Sequence, residues 1–274
     1  MWALMSANAA LNVTATIKTA FDSMAPRHVS PIFGHLGNDR GSWHHSPFPG
    51  KFQFWLQWFF IKMVGLKLLA KAALKPLIYR FPPIMLAPER LMLWQQTLIE
   101  TMSVGGDVVE VGCYLGGTAA VSARMMRNLG DDRQYRVYDT FSGFTDRHWA
   151  LDAAKGIFSG ARDDFSSNSP RLTRWVLDRH GGKNVEIHQG DITSLPDSAL
   201  PARISACLLD VDLTEPIYLG LKRLHPRLGD GGIILIDDCD DKGWYRAKIG
   251  YERYLAELGK SPTYKYGMGI LRKG

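Results

Sequence analysis

The sequence predicts an α/β protein in which a mostly parallel sheet is covered by helices on both faces and is preceded by a helical extension. Three observations support this prediction. From residue 87 onwards, short β-branched segments alternate with segments of helical periodicity, and a glycine-rich turn joins the first strand to the next helix. Residues 1–85 instead combine aromatic with basic residues. Alternating strands and helices are typical of parallel sheets that are buried on both faces.

The first strand and the turn after it are the most informative stretch of the chain. Valines dominate positions 108–111 and follow the turn signal Gly105-Gly106, as expected for a buried strand. The next turn contains three glycines, Gly112, Gly116 and Gly117. We expect them to let the backbone approach a ligand where a Cβ atom would collide. Their spacing differs from the dinucleotide pattern G-x-G-x-x-G, so a tight turn without a ligand is the alternative.

The second predicted strand ends in an acid. It covers residues 135–139 and closes with Asp139, which lies 27 residues after Gly112. In a Rossmann-type unit, an acid at this position accepts hydrogen bonds from ribose hydroxyls. The glycine turn and this acid together indicate a ligand that contains adenosine.

Further elements alternate along the rest of the chain. The predicted elements are a helix over 87–102, a strand over 107–112, a helix over 118–128, a strand over 135–139, a helix over 170–179, strands over 185–189 and 206–210, a helix over 214–227, a strand over 232–237, a helix over 244–258 and a final strand near 263–271. Residues 142–169 form an insertion that is long for a connection within a compact domain. We predict that this insertion is a lid or a substrate-binding loop.

Acidic residues cluster at the predicted strand ends, which form one edge of a parallel sheet and face the ligand crevice. The six acids are Glu110, Asp139, Asp191, Asp210, Asp237 and Asp238. A single acid at such a position commonly caps the following helix. Six at one edge would repel one another without a cation or hydrogen-bond donors. Asp210 and the pair Asp237-Asp238 would bring three carboxylates together, which predicts a site for Mg²⁺ or a similar divalent ion.

Five motifs resemble the macrocin O-methyltransferase family in order and spacing. They are Val108-Val-Glu-Val-Gly-x-x-x-Gly-Gly-Thr118, Tyr138-Asp-Thr-Phe-Ser-Gly-Phe144, Gly190-Asp191, Leu209-Asp-Val-Asp-Leu213 and Ile236-Asp-Asp238. The resemblance extends from about Ala87 to about Lys273. The family comprises S-adenosylmethionine- and metal-dependent enzymes that methylate sugar hydroxyls in natural-product pathways. The resemblance implies a Rossmann-like class I methyltransferase fold, with a mostly parallel seven-stranded sheet, over residues 86–274.

The resemblance also implies a cofactor site. Its residues would be Glu110, Gly112, Gly116, Thr118, Asp139, Phe141, Asp191 and Ile192. Asp139 would hold the ribose, Phe141 would border the adenine ring, and Asp191 with Ile192 would meet the adenine edge. The end of the first strand and the glycine turn would lie near the methionine end of S-adenosylmethionine.

The matching metal ligands are the acid after the fourth strand and the acid pair after the fifth, that is Asp210, Asp237 and Asp238. An ion there would lower the pKa of the acceptor hydroxyl and fix its position, so Asp210 would also contribute to catalysis. Related catechol enzymes place a lysine three residues after the first ligand, where this sequence has Leu213, so that part of the mechanism does not transfer. For the general base, His148 is the first candidate, because histidine titrates near neutral pH, and Asp212 is the second.

The N-terminal third carries the excess positive charge. Residues 1–90 contain ten Lys and Arg against three Asp and Glu, whereas the remainder contains 23 against 24, within a net charge of +6. No nucleic-acid module is recognisable, so nucleic acid is not an expected partner. The residue pattern of segment 53–75 predicts a helix with a broad apolar face and a polar stripe of Gln and Lys. Its apolar runs are shorter than the roughly 18 residues that a membrane span requires.

Residues 1–85 are predicted to form a helical extension that covers the active site, joins subunits or contacts a membrane surface. We favour packing on the domain or on a second subunit, and hence a homo-oligomer, over a peripheral membrane contact through 53–75. The three cysteines are odd in number and lack metal-ligand spacing. Together with the absence of a secretory signal pattern, they predict reduced thiols and a cytoplasmic location.

These features predict an S-adenosylmethionine- and Mg²⁺-dependent O-methyltransferase that acts on a sugar hydroxyl of a glycosylated natural product, glycolipid or polysaccharide. Two alternatives stay open. One is methylation of a phenolic or polyketide hydroxyl. The other is a membrane-attached protein that binds an adenosine ligand or serves as a scaffold, and whose acids only cap helices.

Overall fold

The computed structural model describes residues 74–157, 161–240 and 246–274, which all belong to the compact unit Met63–Gly274. The strands are β1 (Asp107–Val111), β2 (Tyr135–Asp139), β3 (Glu186–Gln189), β4 (Ile204–Leu209), β5 (Leu228–Ile236), β6 (Tyr264–Lys265) and β7 (Met268–Arg272). They form one seven-stranded sheet in the order β3-β2-β1-β4-β5-β7-β6. Strands β1 to β5 pair in parallel, whereas β7 and β6 are antiparallel. The mostly parallel sheet predicted above is confirmed.

Helices alternate with these strands. They are α1 (Pro88–Glu100), α2 (Gly117–Asn128), α3 (Asp146–Ala154), α4 (Pro170–His180), α5 (Thr214–Leu224) and α6 (Ala247–Glu257), and a short helical turn at 74–78 precedes them. Within the described ranges, no helix is long and apolar enough to cross a membrane. The predictions for residues 1–73, including nearly all of helix 53–75, and for residues 241–245 lie outside the described residues.

The central strand β1 is buried on both faces because its side chains alternate between two hydrophobic clusters. Val109 packs in one cluster with Ile217 of α5. Val108 packs in the other with Trp94 of α1. The continuous apolar character of β1 and β4 therefore reflects helices on both sides of the sheet.

The strand order reverses next to β1, with β2 and β3 on one side and β4 and β5 on the other. The carboxyl ends of these five parallel strands lie along one edge of the sheet. In open α/β sheets, ligands bind outside this edge where the order reverses. The fold thereby brings together the acids that follow separate strands.

The C-terminal region differs from its prediction. The single strand predicted near 263–271 is a hairpin in which β6 and β7 pair across Tyr266 and Gly267. Both turn residues have positive φ, 53° and 77°. A two-residue turn of this kind matches the twist of antiparallel strands, and glycine adopts it without steric cost.

Several element boundaries also differ from their predictions. Strand β5 begins at Leu228 rather than 232, because pairing with β4 recruits a glycine-rich stretch of low intrinsic strand propensity. Helix α5 ends at Leu224 and a short 3₁₀ turn with Pro226 follows, since proline lacks the N–H of a continuing helix. The insertion 142–169, predicted to be a lid or a substrate-binding loop, contains the nine-residue helix α3.

Candidate active site

A cavity of about 270 Å³ opens at the carboxyl edge of the parallel strands. All six acids predicted for this edge line it: Glu110, Asp139, Asp191, Asp210, Asp237 and Asp238. Gly112, Thr118 and Ile192 from the predicted cofactor set line it as well. The cavity therefore joins the predicted cofactor and metal residues in one continuous site.

Two predicted cofactor residues do not line this cavity. Phe141 is 8% exposed, and its ring packs in the cluster that contains Trp94. A Cβ at Gly116 would lie 3.0 Å from Thr173 of α4, so this glycine faces the protein interior. Phe144 and Phe165 supply aromatic lining instead.

The glycine turn serves the packing of the chain on itself. A Cβ at Gly112 would lie 1.6 Å from the carbonyl oxygen of Asp210, and one at Gly117 would lie 2.2 Å from the carbonyl oxygen of Pro83. Gly112 and Gly117 also line the cavity, so the close approach of a ligand to this turn stays a prediction. The glycines allow β1 and the turn after it to pack against β4 and the segment before α1.

Asp139 organises the same turn. Its Oδ2 accepts a hydrogen bond from the backbone N–H of Tyr114 at 2.8 Å, and its Oδ1 accepts one from Phe141 N–H at 2.7 Å. Asn168 donates a third at 3.3 Å. Burial raises the pKa of Asp139, and these hydrogen bonds partly oppose that effect. The carboxylate thus holds the turn in place as well as facing the cavity.

Glu110 is a buried carboxyl at the base of the cavity, 2% exposed. Tyr135 donates its hydroxyl to Glu110 Oε2 at 2.5 Å, and Trp94 Nε1 donates to that hydroxyl at 3.3 Å. Burial raises the pKa of Glu110 to about 8, the charge of Asp139 acts in the same direction, and the Tyr135 hydrogen bond opposes them. A carboxyl with this pKa holds a proton near neutral pH.

The three predicted metal ligands come together. Asp210, Asp237 and Asp238 each offer a ligand atom, and these atoms lie within 4.8 Å of one another. Burial and the charge of Asp238 raise the pKa of Asp237 to about 6, against the opposing effect of Arg90. Burial, followed by the charges of Asp237 and Asp212, raises the pKa of Asp210 well above its usual value. Closely spaced carboxylates with raised pKa values suit a hard divalent cation.

Asp212 lies in this cluster too. Burial, followed by the interaction with the neighbouring Asp238 carboxyl, raises the pKa of Asp212 well above its usual value. Its backbone φ is 61°, and that of Asp238 is 53°. Left-handed backbone at two acids of one cluster is a strained arrangement of the sort that collects at functional sites.

Arg90, in the first turn of α1, is a site residue that the sequence did not reveal. Its Nη1 donates to Oδ1 of Asp237 and to Oδ1 of Asp238, each at 2.8 Å, and its Nη2 donates to Asp240 at 2.7 Å. Burial by itself would lower the pKa of Arg90, but the three carboxylates outweigh it and raise that pKa. No motif points to this arginine, because 147 residues separate it from Asp237.

His148 lies in α3 and is 5% exposed. Its Nδ1 is 2.8 Å from Thr145 Oγ1 and 3.6 Å from Asp191 Oδ2. His148 therefore contacts the acid predicted at the adenine edge. The other candidate base, Asp212, contacts the predicted metal ligands.

A buried acid of helix α3 hydrogen-bonds to the chain directly after the loop 210–213. Asp152 is 1% exposed, and its Oδ2 accepts the backbone N–H of Thr214 at 2.9 Å. Thr214 is the first residue of α5, directly after the loop that carries Asp210 and Asp212. The insertion thus satisfies a free N–H at a helix N-terminus.

The sheet order and the cavity at its carboxyl edge define a class I methyltransferase of Rossmann-like fold, and this fold implies S-adenosylmethionine as methyl donor. The profile of the macrocin O-methyltransferase family, TylF, matches residues 80–254, well over half of the chain. The chain belongs to the macrocin O-methyltransferase family and is an O-methyltransferase.

Two characterised relatives are similar in sequence. The 8-demethyl-8-(2,3-dimethoxy-alpha-L-rhamnosyl)-tetracenomycin-C 4'-O-methyltransferase of Streptomyces olivaceus is 29% identical over 182 residues, which cover 60% of this chain and 67% of the relative. The demethyldecarbamoylnovobiocin O-methyltransferase of Streptomyces niveus is 25% identical over 179 residues, 59% of this chain and 66% of the relative. Each alignment spans about two thirds of the relative's length.

Solved structures show the same fold. The O-methyltransferase NovP aligns with a TM-score of 0.60 at 21% identity, covering 69% of this chain and 81% of NovP. The calicheamicin methyltransferase CalS11 aligns with a TM-score of 0.58 at 20% identity, covering 88% of this chain and all of CalS11.

Proposed function

We propose that this protein is an S-adenosylmethionine- and Mg²⁺-dependent O-methyltransferase that acts on a sugar hydroxyl of a glycosylated natural product, glycolipid or polysaccharide. The observation that carries this proposal is the cluster of Asp210, Asp237 and Asp238 at the edge of the cofactor cavity. Methyl transfer to a sugar hydroxyl requires a poor acid to be activated, and such a cluster suits that task. The relative from Streptomyces olivaceus, named for a rhamnosyl-tetracenomycin, supports the sugar acceptor.

The residues present fit a divalent ion. Three carboxylates supply hard oxygen ligands and leave coordination positions for water or acceptor oxygens. An ion bound there supplies Lewis acidity toward the acceptor hydroxyl. The role of the chain is to hold the ligand oxygens at the cavity wall and to fix the acceptor near the methyl donor.

The proposed cofactor contacts come from the other end of the cavity. Asp139 would accept hydrogen bonds from the ribose hydroxyls, and Asp191 with Ile192 would meet the adenine edge. Both oxygens of Asp139 also accept hydrogen bonds from the protein. We therefore propose that Asp139 serves two purposes, since it shapes the glycine turn and also faces the ribose.

We propose Asp212 as the general base in preference to His148. Asp212 lines the cavity with the proposed ligands and lies near Asp238, so an acceptor hydroxyl held at those ligands would be close to its carboxylate. His148 instead contacts Thr145 and Asp191. A base has to reach the proton that it removes, and this requirement favours Asp212.

We also propose a division of the chain into two parts. Residues 86–274 would form the methyltransferase domain, and residues 1–85 would form a helical extension that joins two subunits. A peripheral membrane contact through 53–75 is the competing proposal for this extension.

Calorimetric titration tests the proposed function. We expect S-adenosylhomocysteine to bind the wild-type protein, and Mg²⁺ to bind through the acid cluster. Asp139→Ala should lose S-adenosylhomocysteine binding, whereas Asp237→Ala should lose Mg²⁺ affinity and keep the nucleoside ligand. Sugar acceptors are then screened with and without Mg²⁺. Undiminished turnover in the presence of a chelator would contradict metal dependence, and turnover of phenols alone would contradict the sugar acceptor.

A further inference from the structure

Arg90 contacts the acid cluster from helix α1, whereas the acids of the cluster follow strands β4 and β5. The guanidinium reaches from α1 to Asp237 and Asp238, the two acids after β5. The side chain is 15% exposed, against 8% for Asp237 and 20% for Asp238. Salt screens charge pairs with this degree of burial less than it screens exposed pairs.

The guanidinium is fixed by two further contacts on its other side. Nη2 donates to Asp240 at 2.7 Å, and Nε donates to the carbonyl oxygen of Tyr266 at 3.1 Å. Tyr266 belongs to the β6–β7 turn. Because arginine has a rigid, planar set of donors, holding Nε and Nη2 determines where Nη1 points.

Gly267 in the β6–β7 turn leaves room for the Arg90 guanidinium and for Asp240. A Cβ at Gly267 would lie 2.8 Å from Arg90 Nη2 and 3.2 Å from Asp240 Cβ. A side chain at position 267 would therefore displace the guanidinium or the acid that anchors it. The hairpin and Arg90 fit together as one structural unit behind the acid pair.

Arg90 uses one oxygen of each carboxylate. Nη1 binds Oδ1 of Asp237 and Oδ1 of Asp238, and it leaves the second oxygen of each to other partners. Two carboxylates joined at one donor are held side by side. Outer-sphere hydrogen bonds of this type orient metal ligands.

We propose that Arg90 is a positioning residue for the metal centre. It holds Asp237 and Asp238 side by side, with one oxygen of each available to a divalent cation, and its charge offsets the acid cluster until that cation binds. This inference rests on the proposed metal-dependent function. The competing explanation is that Arg90 takes the place of the cation, in which case its removal would strengthen metal binding.

Mn²⁺ binding to the metal-free full-length chain separates these explanations. The variants are Arg90→Met, which removes the charge and the donors, and Arg90→Lys, which restores the charge without the planar geometry. We expect Mn²⁺ affinity, measured by electron paramagnetic resonance, to fall by about 10- to 100-fold in Arg90→Met and by less in Arg90→Lys. Arg272→Met is the matched control. Arg272 pairs with Glu100, which lies on the same helix as Arg90, and this pair is exposed.

Thermal unfolding provides a readout that is independent of turnover. In metal-free protein, Arg90→Met should unfold at a lower temperature than Arg272→Met, because the carboxylates lose their counter-charge. Saturating Mn²⁺ should widen this difference in unfolding temperature, because the wild type binds Mn²⁺ more tightly and gains more stability from it. A smaller difference would support the competing explanation, in which Arg90 takes the place of the cation. If Arg90→Met fails to fold, Asp240→Asn keeps Arg90 and all three ligands and weakens the anchor at Nη2, and it should weaken Mn²⁺ binding to a smaller extent.

The outcomes are distinguishable. Wild-type binding of Mn²⁺ with equal or tighter binding in Arg90→Met would overturn the positioning role and leave the metal-dependent function intact. Absence of Mn²⁺ binding in the wild type, with S-adenosylhomocysteine still bound, would overturn both the metal dependence and the inference that rests on it.

Discussion

Burial decides the protonation of single carboxyls in this site. Glu110 points from β1 into a layer of aromatic side chains, where Tyr135 and Trp94 form a hydrogen-bonded chain with it. Because water cannot solvate a charge there, the neutral acid is favoured. The sequence identifies Glu110 as an acid at a strand end. Its hydrogen-bond partner comes from β2, 25 residues further along the chain.

Glu110 should make stability depend on pH. Folding raises the pKa of Glu110 from 4.5 to about 8, so the folded state keeps a proton that the unfolded chain releases. The stabilisation is fully present below the unfolded pKa and is lost as pH rises through the folded pKa, at a rate on the order of 1 kcal/mol per pH unit. Glu110→Gln cannot ionise, and the stability of this variant should decline less between pH of about 5.5 and about 8.5.

Urea unfolding at the two pH values, with Mg²⁺ present throughout, measures this difference. Glu100→Gln is the control, because Arg272 and other charges lower the pKa of Glu100, and that group stays ionised over the whole range. Parallel pH profiles for wild type and Glu110→Gln would show that Glu110 is already charged in the folded protein.

At the scale of helices and strands, contacts between helices set the geometry of the site. The insertion supplies α3, and Asp152 of α3 accepts the first N–H of α5. The residue before α5, Leu213, has no side-chain cap for that helix. An acid distant in sequence therefore takes the place of the local cap that the chain lacks.

Asp152→Ala should lower the free energy of unfolding by about 1–3 kcal/mol, because it leaves a buried N–H without its acceptor. It should also weaken Mg²⁺ binding, since the loop before α5 carries Asp210 and Asp212. Urea unfolding and calorimetry measure the two effects. Asp146→Ala is the control on the same helix, because Asp146 is 88% exposed, and its loss should change stability by less than about 0.5 kcal/mol. Equal effects in both variants would contradict a specific capping role.

At the scale of the whole molecule, an exposed apolar segment lies before helix α1. Four residues within 77–85 have large exposed fractions: Leu77 68%, Ile78 63%, Phe81 74% and Met85 66%. The sequence predicts a further apolar face over 53–75. Apolar patches that remain open to water commonly mark interaction sites, and we propose a second copy of the chain as the partner of this one.

Light scattering after size-exclusion chromatography tests this assignment. We expect the wild-type chain to elute as a homo-oligomer and Phe81→Asp to dissociate toward the monomer, because a buried unpaired charge opposes association. Leu129→Asp is the control, since Leu129 is 49% exposed and lies directly after α2, away from this segment in sequence. A wild-type monomer that floats with anionic liposomes would favour the membrane contact instead.

Local patterns allowed the parallel sheet, the glycine turn, Asp139 and the three clustered acids to be predicted. Strand and helix periodicity are properties of neighbouring residues, and parallel strands necessarily present their carboxyl ends at one edge. The same logic explains the errors at the C-terminal hairpin and at the start of β5. Pairing partners and helix contacts outside each segment decided those elements.

The sequence by itself determined the class of fold, the edge at which the site forms and the acids that meet there, because these follow from short-range periodicity and strand polarity. Only the tertiary structure decided which groups surround those acids. Arg90 reaches Asp237, Asp238 and Asp240 across 147, 148 and 150 residues, and Asp152 reaches Thr214 across 62. Contacts over such separations depend on how whole elements pack, and no local pattern encodes them.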